Sequence, residues 1–179
     1  IKVIVRDAKG NIVDKREQRM KSLTQYFLAF MSIPILGTYA NSSTNNATPI
    51  LTNILGLPSQ LSSFLYLSID MSIQLGSGTQ AFSPTLNSLV APISNGSGTG
   101  QLLYNTVSFN FTSTSITAQL IVSNSTSSAI NVSEIGLIGI ILIGSTTYNY
   151  LLSYDTFSSA VSIPAGGNAT FQITVNFTG

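Results

Sequence analysis

The chain has 179 residues, 44% of them hydrophobic and only 7% charged, where an ordinary soluble domain is about 25% charged. The absence of Cys excludes disulfides and thiolate metal sites, and the absence of His removes the commonest metal ligand and general base. This composition argues against disorder, and no apolar run approaches the roughly 20 residues needed to span a bilayer.

The net charge of +1 hides a segregation. All seven basic residues (Lys2, Arg6, Lys9, Lys15, Arg16, Arg19 and Lys21) lie in the first 21 positions, with Asp7, Asp14 and Glu17. That stretch carries +4 (seven minus three), and the remainder carries −3 from Asp70, Glu134 and Asp155. Residues 1–21 read as a basic β-hairpin arm. Ile1, Val3 and Val5 alternate with polar residues, Asp7 to Asn11 form the turn with Gly10 at a positive φ, and Ile12-Val13 begin the return. Hydrophobic and charged residues alternate from Ile1, so the start lacks a signal-peptide shape; a processed or trimmed start stays open.

Residues 22–34 read as an amphipathic helix. Ser22 and Gln25 are spaced as a capping box, Leu23, Tyr26, Phe27, Phe30 and Met31 form one apolar face, and Pro34 ends it. The helix docks on the body or on a neighbour; lying on a membrane beside the basic arm is the weaker alternative. Residues 35–63 read as a loop-rich connector, and residues 64–179 as a β-sandwich body. In the body, alternation predicts half-buried strands at Leu67–Leu75, Val107–Phe111, Ile116–Val122 and Thr170–Phe177, separated by turn signals. Residues 81–92 carry two prolines and should be short or on an edge, and residues 95–100 should be a flexible loop. The run Asn131–Ile143 is apolar on both alternating faces, so it belongs in a core or under a partner. The fold class expected is all-β: a single antiparallel β-sandwich, jelly-roll-like, with an N-terminal β-hairpin and one short α-helix.

No residue pattern supports catalysis. Serines are abundant, but residues 22–179 hold no His, Lys or Arg to activate one, and Asp70, Glu134 and Asp155 each read as strand-surface or turn residues. The glycines at 76 and 96 lack the Lys and the strand–loop–helix context of a phosphate cradle and read as hairpin turns. No catalytic residue, cofactor or metal is therefore expected. Asn-X-Ser/Thr acceptors occur at Asn41, Asn46, Asn95, Asn110, Asn124, Asn131, Asn168 and Asn176, eight of fourteen Asn, about twice what chance gives. N-linked glycans on these residues would supply the solubility that charge does not. A body so poor in carboxylates should also tolerate acid, because below about pH 4 few pairings remain to be lost.

Several stretches together resemble β-sandwich virion proteins of archaeal viruses and tailed phages. They are Val3–Val13 followed by Lys21–Phe27, Asn95–Tyr104, Val132-Ser-Glu-Ile-Gly-Leu137, Leu151-Leu-Ser-Tyr-Asp155 and Val161–Val175. In that family an acid precedes Ile/Val-Gly-Leu, and a Pro-x-Gly turn leads to a Thr-rich last strand. The chain departs from the commoner pattern in having Ser153-Tyr154 where a basic residue usually precedes Asp. The resemblance implies a structural role in a particle (capsid vertex, turret, collar or tail), with no catalytic residue carried over, and a hot acidic habitat is the expected source. Partners would be copies of the chain and other virion proteins. Arg6, Lys15, Arg16, Arg19, Lys21, Tyr26, Phe27 and Phe30 are the candidate assembly contacts; contact of the arm with membrane or nucleic acid is a weaker reading. The competing class is a cell-surface pilus or thread subunit or an adhesin, in which the apolar strand at 135–143 would pair between subunits.

Overall fold

Nine strands form the framework. They are β1 (Lys2–Arg6), β2 (Ile12–Glu17), β3 (Leu67–Gly76), β4 (Leu103–Tyr104), β5 (Ser108–Phe111), β6 (Ser115–Ser123), β7 (Ile130–Ile143), β8 (Thr146–Ile163) and β9 (Asn168–Asn176). The computed structural model describes residues 1–20, 22–27, 30, 67–143 and 145–176. The connector at 35–63, the helix beyond residue 30, Lys21, Asn41, Asn46 and Phe177 lie outside the described residues.

The strands make two antiparallel sheets. One is six-stranded in the order β2-β1-β9-β6-β4, with β5 also paired to β6; the other is three-stranded, β3-β7-β8. Alternation decides which side of each strand meets the other sheet. Val3, Val5, Ala118, Leu120, Val122, Ala169, Phe171 and Ile173 of the larger sheet are buried, as are Ile73, Leu75, Ile135, Leu137 and Ile141 of the smaller. The opposite face of β9 (Thr170, Gln172, Thr174 and Asn176) is polar and at least partly open to water. The all-β antiparallel sandwich with an N-terminal hairpin is thus the fold the chain adopts.

Two local expectations are corrected, and a third stretch gains a strand. The hairpin is not a detached arm: β1 pairs with β9 from Lys2↔Gln172 to Arg6↔Asn168, and Val3 and Val5 fill the core. Apolar alternation in β1 made this the lower-energy use of the strand, since Val side chains left in solvent would forfeit burial. Residues 150–163 carry no strand pattern that alternation predicts. They belong to the 18-residue β8, which pairs with β7 along nearly its whole length and bends at two register shifts. The helix starts at residue 25, so Ser22 and Gln25 cannot form its capping box. Residues 22–24 instead run along the edge of β8, where Tyr154 N donates to Ser22 O (3.3 Å), Thr24 N donates to Leu152 O (2.9 Å) and Leu23 bridges Ser153.

The described helical residues then turn into the core. Phe27 and Phe30 are buried, and Tyr26 packs against Tyr150 with ring centroids 6.0 Å apart. Phe30 fits because residue 139 is glycine: a Cβ there would lie 2.5 Å from the Phe30 ring.

Candidate functional site

The aliphatic strand β7 carries one carboxylate, Glu134, and it is fully buried. Its neighbours Gly76 and Gly78 leave room for it: a Cβ at either position would come within 2.3 and 3.0 Å of Glu134 Oε1. The segment after β3 therefore folds over the outer face of the three-stranded sheet and then returns antiparallel to the end of β3, where Gly76 bridges Pro92, Ser77 N donates to Ala91 O (2.9 Å) and Ile93 N donates to Leu75 O (2.8 Å). It offers backbone donors to the acid: Ala91 N (2.8 Å) and Gly78 N (3.3 Å) to Oε1, and Val90 N (3.2 Å) to Oε2. Leu89 packs with Leu151 and Tyr154 beneath this flap, with Leu86 and Ile138 at the margin. The Tyr154 phenol is held neutral above its ordinary range, chiefly by burial. Gln80 N donates to its oxygen at 3.2 Å.

This corrects the reading of Glu134 and Asp155 as surface or turn residues; both are buried, and Asp155 Oδ1 accepts from Thr156 N at 2.8 Å. Asp70 is exposed, as expected. An acid inside an apolar strand must find donors or stay neutral, and two glycines spaced two apart are the companion signal that sequence reading passed over. Ser153 and Tyr154, where the resembled family has a basic residue, are buried too, a position where an unpaired cation would be costly.

The basic residues separate into two groups. Arg16, read as an assembly contact, is engaged within the chain. Its Nε donates to Asp14 Oδ2 (2.7 Å), and its guanidinium reaches β8 at Ser159 O, Ser159 Oγ (2.9 Å) and Ala160 O (3.1 Å). With Gln18 Nε2 on Thr156 O (3.2 Å), it closes the side of the sandwich where β2 and β8 do not pair. Phe27 and Phe30, also read as assembly contacts, are core residues. Arg6, Lys15 and Arg19 are exposed at the hairpin, and Tyr26 is half-buried. Beside them an open groove of about 940 Å³ runs between the β2 end and β9, lined by Glu17, Arg19, Met20, Leu23, Thr174 and Asn176 among others.

The sequons also separate. Asn110 on β5 and Asn176 on β9 are exposed on the outer face of the six-stranded sheet, flanking the Thr117–Thr174 hydroxyl pair (3.1 Å). Asn95 and Asn131 are exposed, and Asn168 is half-buried. Asn124 is corrected. It is buried, and its Nδ2, the atom a glycan would occupy, donates to Ser128 O (2.8 Å), Ile163 O (2.9 Å) and Pro164 O (3.1 Å). Its Oδ1 accepts from Thr126 N (3.0 Å) and Thr126 Oγ1 (2.7 Å). The sequon Thr thus serves an Asx turn that joins the two crossovers between sheets.

Among the described residues no three Asp or Glu side chains converge as metal ligands, and no helix is long and apolar enough to cross a membrane. No protein-family model matches the chain, and no curated protein or solved structure matches it either.

Proposed function

We propose that the protein is a non-enzymatic structural subunit of a virus particle, one of the vertex, turret, collar or tail components, located in the extracellular virion and assembling with copies of itself and other virion proteins. The observation that carries this reading is the distribution of surface chemistry on the sandwich. Over β9, β6 and β5 the outer face of the six-stranded sheet is built mainly from Thr, Gln, Asn and Ser, exposed sequons Asn110 and Asn176 stand on it, and the charged residues of that face, among them Lys2, Lys15 and Glu17, lie on the hairpin strands β1 and β2. A face without charge resists association weakly. Glycans at Asn110, Asn168 and Asn176 would protect it and direct it outward, with Asn95 and Asn131 as further acceptors elsewhere on the sandwich, while Arg6, Lys15 and Arg19 remain for docking.

The filament alternative loses its proposed joint. Every residue of β7 from 134 to 143 is paired with β3 on one side and, but for a bulge, with β8 on the other, so it has no free edge to exchange between subunits. The test is quantitative mass spectrometry of purified particles from the producing host. The reading expects the protein at a copy number of structural proteins and enriched with particle density. Recovery with the cell envelope and not with particles would reject it.

A further inference from the structure

The six-stranded sheet ends on β2, and among the described residues nothing pairs with its outer edge. The hydrogen-bond phase of that edge follows from one pair: Ile1 and Gln18 exchange both backbone bonds, Gln18 N to Ile1 O at 2.9 Å and Ile1 N to Gln18 O at 2.7 Å. Antiparallel bonding alternates, so Arg16 and Asp14 also bond inward to Val3 and Val5. Lys15 and Glu17 then direct their N–H and C=O groups away from the sheet. Their side chains lie on the outer face, opposite Ile4 and Lys2, and both are exposed.

We propose that β2 is a strand-addition site for β2 of a second copy of this chain, related by a two-fold axis at Arg16, so that Lys15 of each copy stands opposite Glu17 of the other. Two independent requirements meet in this register. It places outward-bonding residues opposite each other, giving four main-chain bonds, and it sets two opposite-charge pairs directly across the new ladder. Moving the axis to Lys15 would set Lys against Lys. At the axis Arg16 faces its own copy, but Asp14 holds it at 2.7 Å and its guanidinium is turned onto β8. The two hairpin turns, with Lys9, end up roughly 40 Å apart at about 3.3 Å per residue, well beyond the screening length of about 8 Å. Beneath β2, Ser158, Ser159 and Ala160 of β8 are exposed, small and uncharged, so they raise no electrostatic barrier to the partner.

The other edge argues for a closed pair. β5 carries Asn110 and its sequon, whereas β1 and β2 carry none. A glycan there would block strand addition along β5, and the two-residue β4 that shares this side is too short to pair, which leaves β2 as the joining edge; a two-fold contact on one edge closes rather than polymerises. The contact does not depend on the virion reading: loss of the dimer would leave the protein's place in particles untouched.

Sedimentation velocity on the full chain, from low concentration to roughly 100 μM, reads the dimer directly. K15E and E17K each place two like-charge pairs across the ladder and should weaken dimerisation about tenfold. The double swap K15E/E17K, with unchanged net charge, should restore it. E17P removes only an outward donor and should weaken it as well, with far-UV circular dichroism confirming that the fold persists. A monomer across the whole range overturns the proposal. A dimer that ignores both single reversals also overturns it, as does failure of the double swap to rescue.

Discussion

A carboxylate in the middle of an aliphatic strand needs donors, and Glu134 has three backbone amides from the flap it anchors. Glu134→Gln leaves those donors to share one acceptor oxygen and should cost about 2–4 kcal/mol, read as a lower urea midpoint with faster proteolysis within 77–92. An unchanged midpoint would show that the flap is held by Leu89 alone. A second residue-scale effect lies at alkaline pH. Tyr104 donates to Ile93 O at 3.0 Å, and burial pushes its phenol up to about 12, as it does for Tyr150. A phenol that ionises near 10 when unfolded and near 12 when folded stabilises fully below about pH 10 and progressively less as pH rises toward 12. Denaturation midpoints should therefore fall between about pH 10 and 12, and Tyr104→Phe should flatten part of that fall. A midpoint that stays level across this range would contradict the assignment. On the acid side, Asp7 lies below its usual range, held chiefly by the Asn11 amide in the turn; its contribution is present above the ordinary carboxylate pKa and is lost as pH falls through its depressed value. Because its bonds lie in a solvent-exposed turn, that loss should be small, which suits the expected acid tolerance.

At the scale of elements, the hairpin and the helical segment are parts of the sandwich. Deleting residues 1–17 would remove β1 from β9, take Val3 and Val5 from the core and strip the Arg16 clamp from β8. The truncated chain should fail to give a cooperative thermal transition; a body that melts as before would restore the detached-arm reading. Phe30→Ala should cost about 3–5 kcal/mol, because the space in front of Gly139 would stand empty. The strand patterns at 67–75, 116–122 and 170–176 were legible, because period-two alternation is a local consequence of one buried face. The length of β8 was not. Its Ser, Thr and Tyr residues alternate poorly, and only pairing with β7 defines it. Nor was the flap legible, since a carboxylate binding backbone amides leaves no periodic trace; its signs were only the Gly76 and Gly78 pair and the isolated acid in β7. Arg16 was read by its charge, whereas its partners on β8 lie more than 140 positions away in the chain.

Over the whole molecule, the proposed assembly role rests on the surface of a nearly uncharged sandwich. Glycopeptide mapping of the protein from its natural host should find glycan at the exposed sequons, Asn110 and Asn176 foremost, and none at Asn124, whose amide the fold consumes. Occupancy at Asn124 with the fold intact would contradict the structure. The most direct measurement is a cryo-EM map of the intact particle at side-chain resolution. The account predicts density for this sandwich in repeated copies, with the Thr-rich face of β9 and β6 toward solvent and the hairpin edge in contact with a neighbour. A particle map fully explained by other chains, or one with the hairpin edge bare and the Thr-rich face buried, would contradict it.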